Sequence, residues 1–121
     1  MCYSTKTWFS RGMKHLLICA LLATQSYAGT ASWYGIHHQG KLTASGQPFD
    51  RNKLTAASWY YRLGTKVRVT NTKTGKSVVV TINDRGPAKH LGREIDLSQA
   101  AFSSIADTRS GLAQVSIKVL N

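Results

Sequence analysis

The chain has 121 residues, with 16 Lys and Arg against 5 Asp and Glu and a formal net charge of +11. That length suits one domain and excludes a second of ordinary size. The basic excess points either to an anionic partner or to a generally solubilising surface.

The first 28 residues have the layout of a secretory signal. Lys6, Arg11 and Lys14 supply positive charge without an acid, and Leu16 to Ala23 is an apolar run of eight. Ser26 and Ala28 place small residues at the −3 and −1 positions of a cut before Gly29. A transmembrane helix needs about 20 apolar residues, so this run is too short to be one; a buried N-terminal helix is the alternative. Translation starts at Met1 or at Met13, because Met13-Lys14-His15 is itself a suitable beginning. Both cysteines, Cys2 and Cys19, fall in this segment, so the mature chain is expected to carry no thiol and no disulfide. Ile18 precedes Cys19 where lipoprotein processing requires a small residue, so anchoring through Cys19 is not expected. Residues 29–121 keep 13 Lys and Arg and all 5 acids, a balance of about +8. An exported protein of the periplasm or cell envelope meets the carboxylates of the wall rather than nucleic acid.

In chain order, Thr30 to Tyr34 predicts a first strand that Gly35 ends. Gly40 to Pro48 reads as a loop, with Gly46 and Pro48 as breakers. Leu54 to Ala57 predicts a short strand. Lys66 to Thr70 alternates polar and apolar residues, the period of a half-buried strand. Asn71 to Gly75 has turn chemistry, and Ser77 to Ile82 is a β-branched run apolar enough to be central. Ser98 is a candidate N-cap for one helix, whose apolar stripe is Ala100, Ala101, Ile105 and Ala106 and which ends at Gly111. Gly111 to Leu120 alternates again, with Val115, Ile117 and Val119 on one side. Many short strands and one helix imply a β-barrel or sandwich.

The few acids are the first candidates for chemistry. Asp84 lies in Asn83-Asp84-Arg85-Gly86-Pro87, a tight turn that holds its carboxylate in place. Asp96 precedes the helix, and Asp50 follows Phe49 in the early loop. Each also has an ordinary role open to it, in a turn or near a helix dipole. The aromatics Trp33, Tyr34, Phe49, Trp59, Tyr60 and Tyr61 offer faces on which sugar rings stack. Trp33 and Phe49 read as core, and the run 59–61 must leave at least one ring exposed. His37, His38 and His90 read as loop residues, and neither a metal nor another cofactor is expected.

Six motifs occur in order: Ala-Ser-Trp-Tyr-Gly (31–35), Thr-Ala-Ser-Gly-Gln-Pro-Phe-Asp (43–50), Leu-Thr-Ala-Ala (54–57), Leu-Gly-Thr-Lys-Val-Arg-Val-Thr-Asn (63–71), Val-Val-Val-Thr-Ile-Asn-Asp-Arg-Gly-Pro (78–87) and Ile-Asp-Leu-Ser (95–98). Together they closely resemble the RlpA family, over the whole of residues 29–121. The resemblance implies a mainly β fold, a six-stranded double-psi β-barrel with one short helix, related to expansins and placed after the signal peptide of residues 1–28. It implies action on peptidoglycan glycan strands as a lytic transglycosylase, preferring strands without stem peptides and leaving 1,6-anhydro ends; a monomer is expected. It carries family functional positions onto Gln47, Asp50, Ser58 and Asp84, with Asp96 as an expansin-like acid. The implied catalytic set is Asp84, Asp50 and Asp96, and the implied substrate-binding set is Tyr34, Gln47, Ser58, Trp59 and Arg85. Two positions depart from the family pattern: Gln47 replaces the usual Glu and Ser58 the usual His. Neither replacement transfers protons well alone, so a non-catalytic, expansin-like wall-binding or wall-loosening module is the alternative reading. A scaffold for another interaction is the third.

Overall fold

The computed structural model describes residues 26–86 and 92–121. Most of the expected leader, together with Pro87 and His90, lies outside them. The elements are β1 (Tyr27–Tyr34), a 3-10 turn (Ile36–His38), β2 (Thr55–Ala57), β3 (Lys66–Asn71), β4 (Ser77–Asp84), β5 (Ile95–Ser98), α1 (Gln99–Ile105), a 3-10 turn (Thr108–Ser110) and β6 (Leu112–Val119). The strands close into a barrel in the order β1-β5-β2-β4-β3-β6. Closure leaves no unpaired edge, which suits a domain with a small core. The pairs β1·β5 and β2·β4 are parallel and the other four are antiparallel. This is the closed, mixed six-stranded barrel that the resemblance implies.

Period-two alternation explains the core. Val67 and Val69 of β3, Val78, Val80 and Ile82 of β4, and Val115 and Ile117 of β6 point inward. Lys66, Arg68 and Val79 alternate with them on the outside. Helix α1 adds Ala101, Phe102 and Ile105 to the same core. The Ser98 hydroxyl caps it by accepting a hydrogen bond from the Ala101 amide. Trp33 packs on the core edge with its ring centroid 6.4 Å from that of Phe102.

The helix ends at Ile105, capped by Ala106, rather than at Gly111, and two further boundaries differ from the sequence reading. Ile95–Ser98, read only as the approach to the helix, is strand β5, paired with both β1 and β2. Four residues are too few for a periodic signal, and tertiary pairing decides them. Strand β1 begins at Tyr27, where Tyr27 and Ala28 pair with Ile117 and Ser116. The expected cut before Gly29 therefore falls within β1.

Asn71 ties the hairpin to the helix. Its Nδ2 donates to the Ile105 carbonyl at 2.8 Å, and its Oδ1 accepts from the Lys73 amide at 2.9 Å. Asn71→Ala removes these bonds and the longer one from the Thr74 amide (3.4 Å), and leaves a buried helix-end carbonyl without its donor. It is expected to cost about 1–3 kcal/mol, measured as a lower denaturation midpoint with an unchanged slope.

Candidate functional site

The site is on the outer face of the barrel, where β1, β5, β2 and β4 lie side by side. Along β4 the inward positions are Val78, Val80 and Ile82, so strict alternation would send Asp84 into the core. The pairing with β2 prevents this. Ala56 is opposite Ile82, but Ala57 is opposite Asp84, and Asn83 is the extra residue. This one-residue shift turns Asp84 onto the face of Ala57. On the other side of β2, Ala57 is opposite Asp96, and Asp96 is opposite Ser32 of β1. Ser32, Asp96, Ala57 and Asp84 thus form one row across four strands, with only the Ala57 methyl between the carboxylates. Two strand spacings, roughly 10 Å, separate the two aspartate backbones.

Each carboxylate is held. Asp84 Oδ1 accepts from the amides of Ala44 (2.9 Å) and Arg85 (2.8 Å). Its Oδ2 takes no hydrogen bond among the described residues. Asp96 Oδ1 accepts from the Ser32 hydroxyl at 3.0 Å. Burial raises the Asp96 carboxyl above its ordinary value, and Asp84 adds to the effect, while Ser32, Arg93 and His38 oppose it. Above this pair is Tyr34. Its ring stacks on Phe49 with centroids 4.3 Å apart and meets His38 edge-on at 5.3 Å. Its hydroxyl is buried and has no hydrogen-bond partner among the described residues. Burial, and then the charges of Asp84 and Asp96, push this phenol well above its usual value, so Tyr34 remains a neutral donor.

A laced pair of turns walls the site on one side. The Ser58 amide donates to the Asp84 carbonyl, and Arg85 Nη1 donates to the carbonyls of Ser58 (2.8 Å) and Tyr61 (2.7 Å). Trp59 Nε1 donates to the Gly86 carbonyl at 2.9 Å, which leaves the indole 49% exposed beside the Asp84 turn. Glycine is required at 86, because a Cβ there would stand 2.8 Å from the Ala57 carbonyl oxygen.

The structure brings together Asp84, Asp96 and Tyr34, with Trp59 at the rim. It does not bring Asp50 to them. Asp50 is half-buried as a residue, accepts from the Asn52 amide (3.0 Å) and Gln39 Nε2 (3.4 Å), and is held below the usual carboxylate range by those bonds. An ionised turn cap of this kind is no proton donor. Ser58, expected to touch substrate, is fully buried. Its hydroxyl donates to the Glu94 carbonyl and accepts from the Tyr60 amide, so it holds the turn instead. Arg85 Nη1 is likewise committed to the wall. Gln47 is exposed on the 43–50 loop. Sequence reasoning did not single out His38 and Arg93, which face Asp96 electrostatically. The His37-His38 pair was the one available signal, and it looked like an ordinary loop.

A family model described as lytic transglycolase matches residues 26–117. The chain belongs to this RlpA-type family. Within it, the protein named endolytic peptidoglycan transglycosylase RlpA of Vibrio cholerae is 47% identical over 93 residues, which is 77% of this chain and 35% of that protein. The one of Neisseria meningitidis serogroup B is 44% identical over 97 residues, 80% of this chain and 40% of that protein. The chain therefore spans well under half the length of these RlpA relatives. Among solved structures, the Streptomyces papain inhibitor superposes with a TM-score of 0.66 at 25% identity, covering 80% of this chain and 96% of that one. A mutant Clavibacter michiganensis expansin in complex with cellohexaose gives 0.64 at 22% identity, covering 80% and 51%. These likenesses establish the double-psi barrel shared by the RlpA and expansin families.

The raised Asp96 carboxyl has a consequence for stability. It binds its proton more tightly in the folded than in the unfolded state, so the contribution of this group to stability is greatest at low pH. Stability falls as pH rises from the ordinary carboxylate range through the raised value. Asp96→Asn keeps an oxygen for Ser32 and removes that loss. The variant is expected to melt higher than wild type at about pH 7 and no higher at about pH 3. Equal melting at both would place Asp96 in a solvated setting.

Proposed function

We propose that this outer-face site is the catalytic centre of a peptidoglycan lytic transglycosylase that works in the cell envelope after export. The observation that carries the reading is the pairing of Asp84 and Asp96 across Ala57 beneath a neutral Tyr34. Asp84 is the acid and base, since its Oδ2 is open while Oδ1 is pinned by two amides. A protonated Asp84 gives its proton to the glycosidic oxygen as the bond from the anomeric carbon to that oxygen breaks. The resulting carboxylate takes the proton of the C6 hydroxyl, whose oxygen closes onto the anomeric carbon and forms a 1,6-anhydro ring. One proton is given and one returned, so no water is consumed and no second nucleophile is required. Asp96 keeps a proton to higher pH than an ordinary carboxyl, which lets the pair retain one over more of the working range. Tyr34 donates a hydrogen bond to a sugar oxygen, and the exposed face of Trp59 stacks on a ring. Strands without stem peptides are the preferred substrate in this reading. The protein acts as a monomer.

The names of the RlpA relatives support the substrate class. A second reading, a module that holds glycan without cutting it, is favoured by one observation: Ser58 is sealed inside the fold, and Gln47 is an amide.

The test is mass spectrometry of stem-peptide-free peptidoglycan incubated with the purified protein. Wild type is expected to release 1,6-anhydro-ended fragments. Asp84→Asn is expected to lose about 100-fold or more of that rate while still pelleting with the glycan, because shape is kept and only the proton is lost. Cleavage by the variant at the wild-type rate would remove Asp84 from the mechanism; pelleting without any cleavage by wild type would favour the binding module.

A further inference from the structure

The barrel has a second face that the site does not use. Strand β3 is three strands from β5 in either direction around the closed order, so its outer face is on the far side of the barrel from Asp96. Val67 and Val69 point into the core, which sends Lys66 and Arg68 outward, roughly 7 Å apart along the strand. On β6 the inward Ile117 sends Lys118 outward as well, and the register sets Lys118 directly opposite Arg68. The turn that follows β3 continues the positive charge with the exposed Lys73 and Lys76.

Two cations facing each other on neighbouring strands, with Cβ atoms about 5 Å apart, repel and weaken the pairing. An acid on the same face would relieve the repulsion, and the chain has none to give. It has five acids in all. Asp84 and Asp96 stand at the site, and Asp50 caps its own turn. Glu94 Oε1 accepts from the Thr30 amide at 2.7 Å, and Asp107 pairs with Arg109. No other acidic side chain remains to face Arg68 and Lys118. Among the described residues neither of them forms an ion pair. The group that relieves the repulsion therefore comes from outside the chain.

The chemistry of that group follows from the pair. Arg68 presents a planar fork that takes a carboxylate through two hydrogen bonds, and Lys118 beside it adds a point charge for the same anion. The rest of the face suits an extended polar chain rather than a lipid surface. Thr70, Thr81 and Ser116 share it, and its apolar side chains are Val79 and, opposite Lys66, Leu120. It carries no aromatic ring among the described residues, whereas an element that lies in a membrane surface sets a wide apolar face of Trp, Phe and Leu beside its basic residues.

We propose that the outer face of β3 and β6, centred on Arg68 and Lys118, docks acidic peptide, namely the carboxylate-bearing stem peptides of unstripped peptidoglycan. The protein then holds the wall by its back and leaves the opposite face free for a glycan strand. This goes beyond the reaction proposed above and does not need it, because docking is read without cleavage. It also gives a use to the basic excess of the chain, which a site built on two carboxylates does not employ.

The test is co-sedimentation of the purified protein, at low salt, with intact peptidoglycan, with the same material after its carboxylates are converted to amides, and with phosphatidylglycerol vesicles. Wild type is expected to bind the intact material, to bind the amidated material about 5-fold or more weakly, and to be released at about 1 M salt, where the screening length is about 3 Å. Arg68→Gln combined with Lys118→Gln is expected to weaken binding to intact peptidoglycan by about 4- to 9-fold, at about 2- to 3-fold for each exposed contact. The same variant is expected to melt no lower than wild type, because a like-charge pair is gone. Lys41→Gln combined with Arg51→Gln removes equal charge from the loop before β2 and is expected to leave binding within about 2-fold. Equal binding of intact and amidated material overturns the proposal, and so does an equal loss in the loop variant. Vesicle binding that falls with Arg68 and Lys118 while peptidoglycan binding does not would also overturn it, in favour of a lipid surface. None of these outcomes touches the assignment of Asp84, and a protein that cuts no glycan can still pass every arm.

Discussion

The register shift between β2 and β4 is the constraint on which the rest of the site depends. Strand β2 has three residues, and each of its edges is hydrogen-bonded, in parallel to β4 and antiparallel to β5. Without the extra residue Asn83, the alternation that buries Val78, Val80 and Ile82 would bury Asp84 too, as an unpaired charge in an apolar interior. Such a burial costs far more than a small domain can bear. With the shift, Asp84 comes out beside Ala57 and in line with Asp96, and a bulge of this kind is a recurrent means of aiming a side chain. The small side chains around it are part of the same device. Ala57 leaves space between the carboxylates, and Gly86 lets the following turn touch the Ala57 carbonyl.

The electrostatics follow from that placement. The domain is strongly basic, yet its acids are mostly engaged with backbone amides or hydroxyls rather than with lysines or arginines. Among the described residues the single side-chain ion pair is Arg109 with Asp107, on the exposed surface away from the site. Asp84 is held by two amides and Asp96 by Ser32, and among the described residues neither forms an ion pair. Burial then raises Asp96 and Tyr34 in the direction that keeps protons on. Asp50, in water and capped by an amide, moves the opposite way. Two aspartates in one small barrel are thus separated in proton affinity, Asp96 raised by burial and Asp50 lowered by the hydrogen bonds it accepts.

Ser58 and Gln47 have different structural settings. Ser58 is inside the fold, where a hydroxyl bridges the Glu94 carbonyl and the Tyr60 amide and keeps the 58–61 turn shut. Gln47 is at the surface, on the wall of a cavity that Asn83 and Thr55 also line. Ser58 is part of the wall of the site, and Gln47 lines its groove.

Much of this was legible in the chain itself. Alternation in 66–70, 77–82 and 111–120 marked the barrel strands, Ser98 marked the helix start, and the ordered motifs marked the family, because each is a local pattern or a local turn rule. Asp84 stood out for the same reason, set in a Gly- and Pro-bounded turn. Local rules do not specify which strands become neighbours. The strand nature of Ile95–Ser98, the pairing of Asp84 with Asp96 across Ala57, the separation of Asp50 from both and the sealing of Ser58 all depend on contacts between residues far apart in the chain. The decisive one is a single-residue slip in the pairing of β2 with β4. A slip of one residue reverses the face of every side chain beyond it, and no periodicity in either strand records it; only the closed barrel, with both edges of β2 occupied, determines on which side of the wall the carboxylate stands.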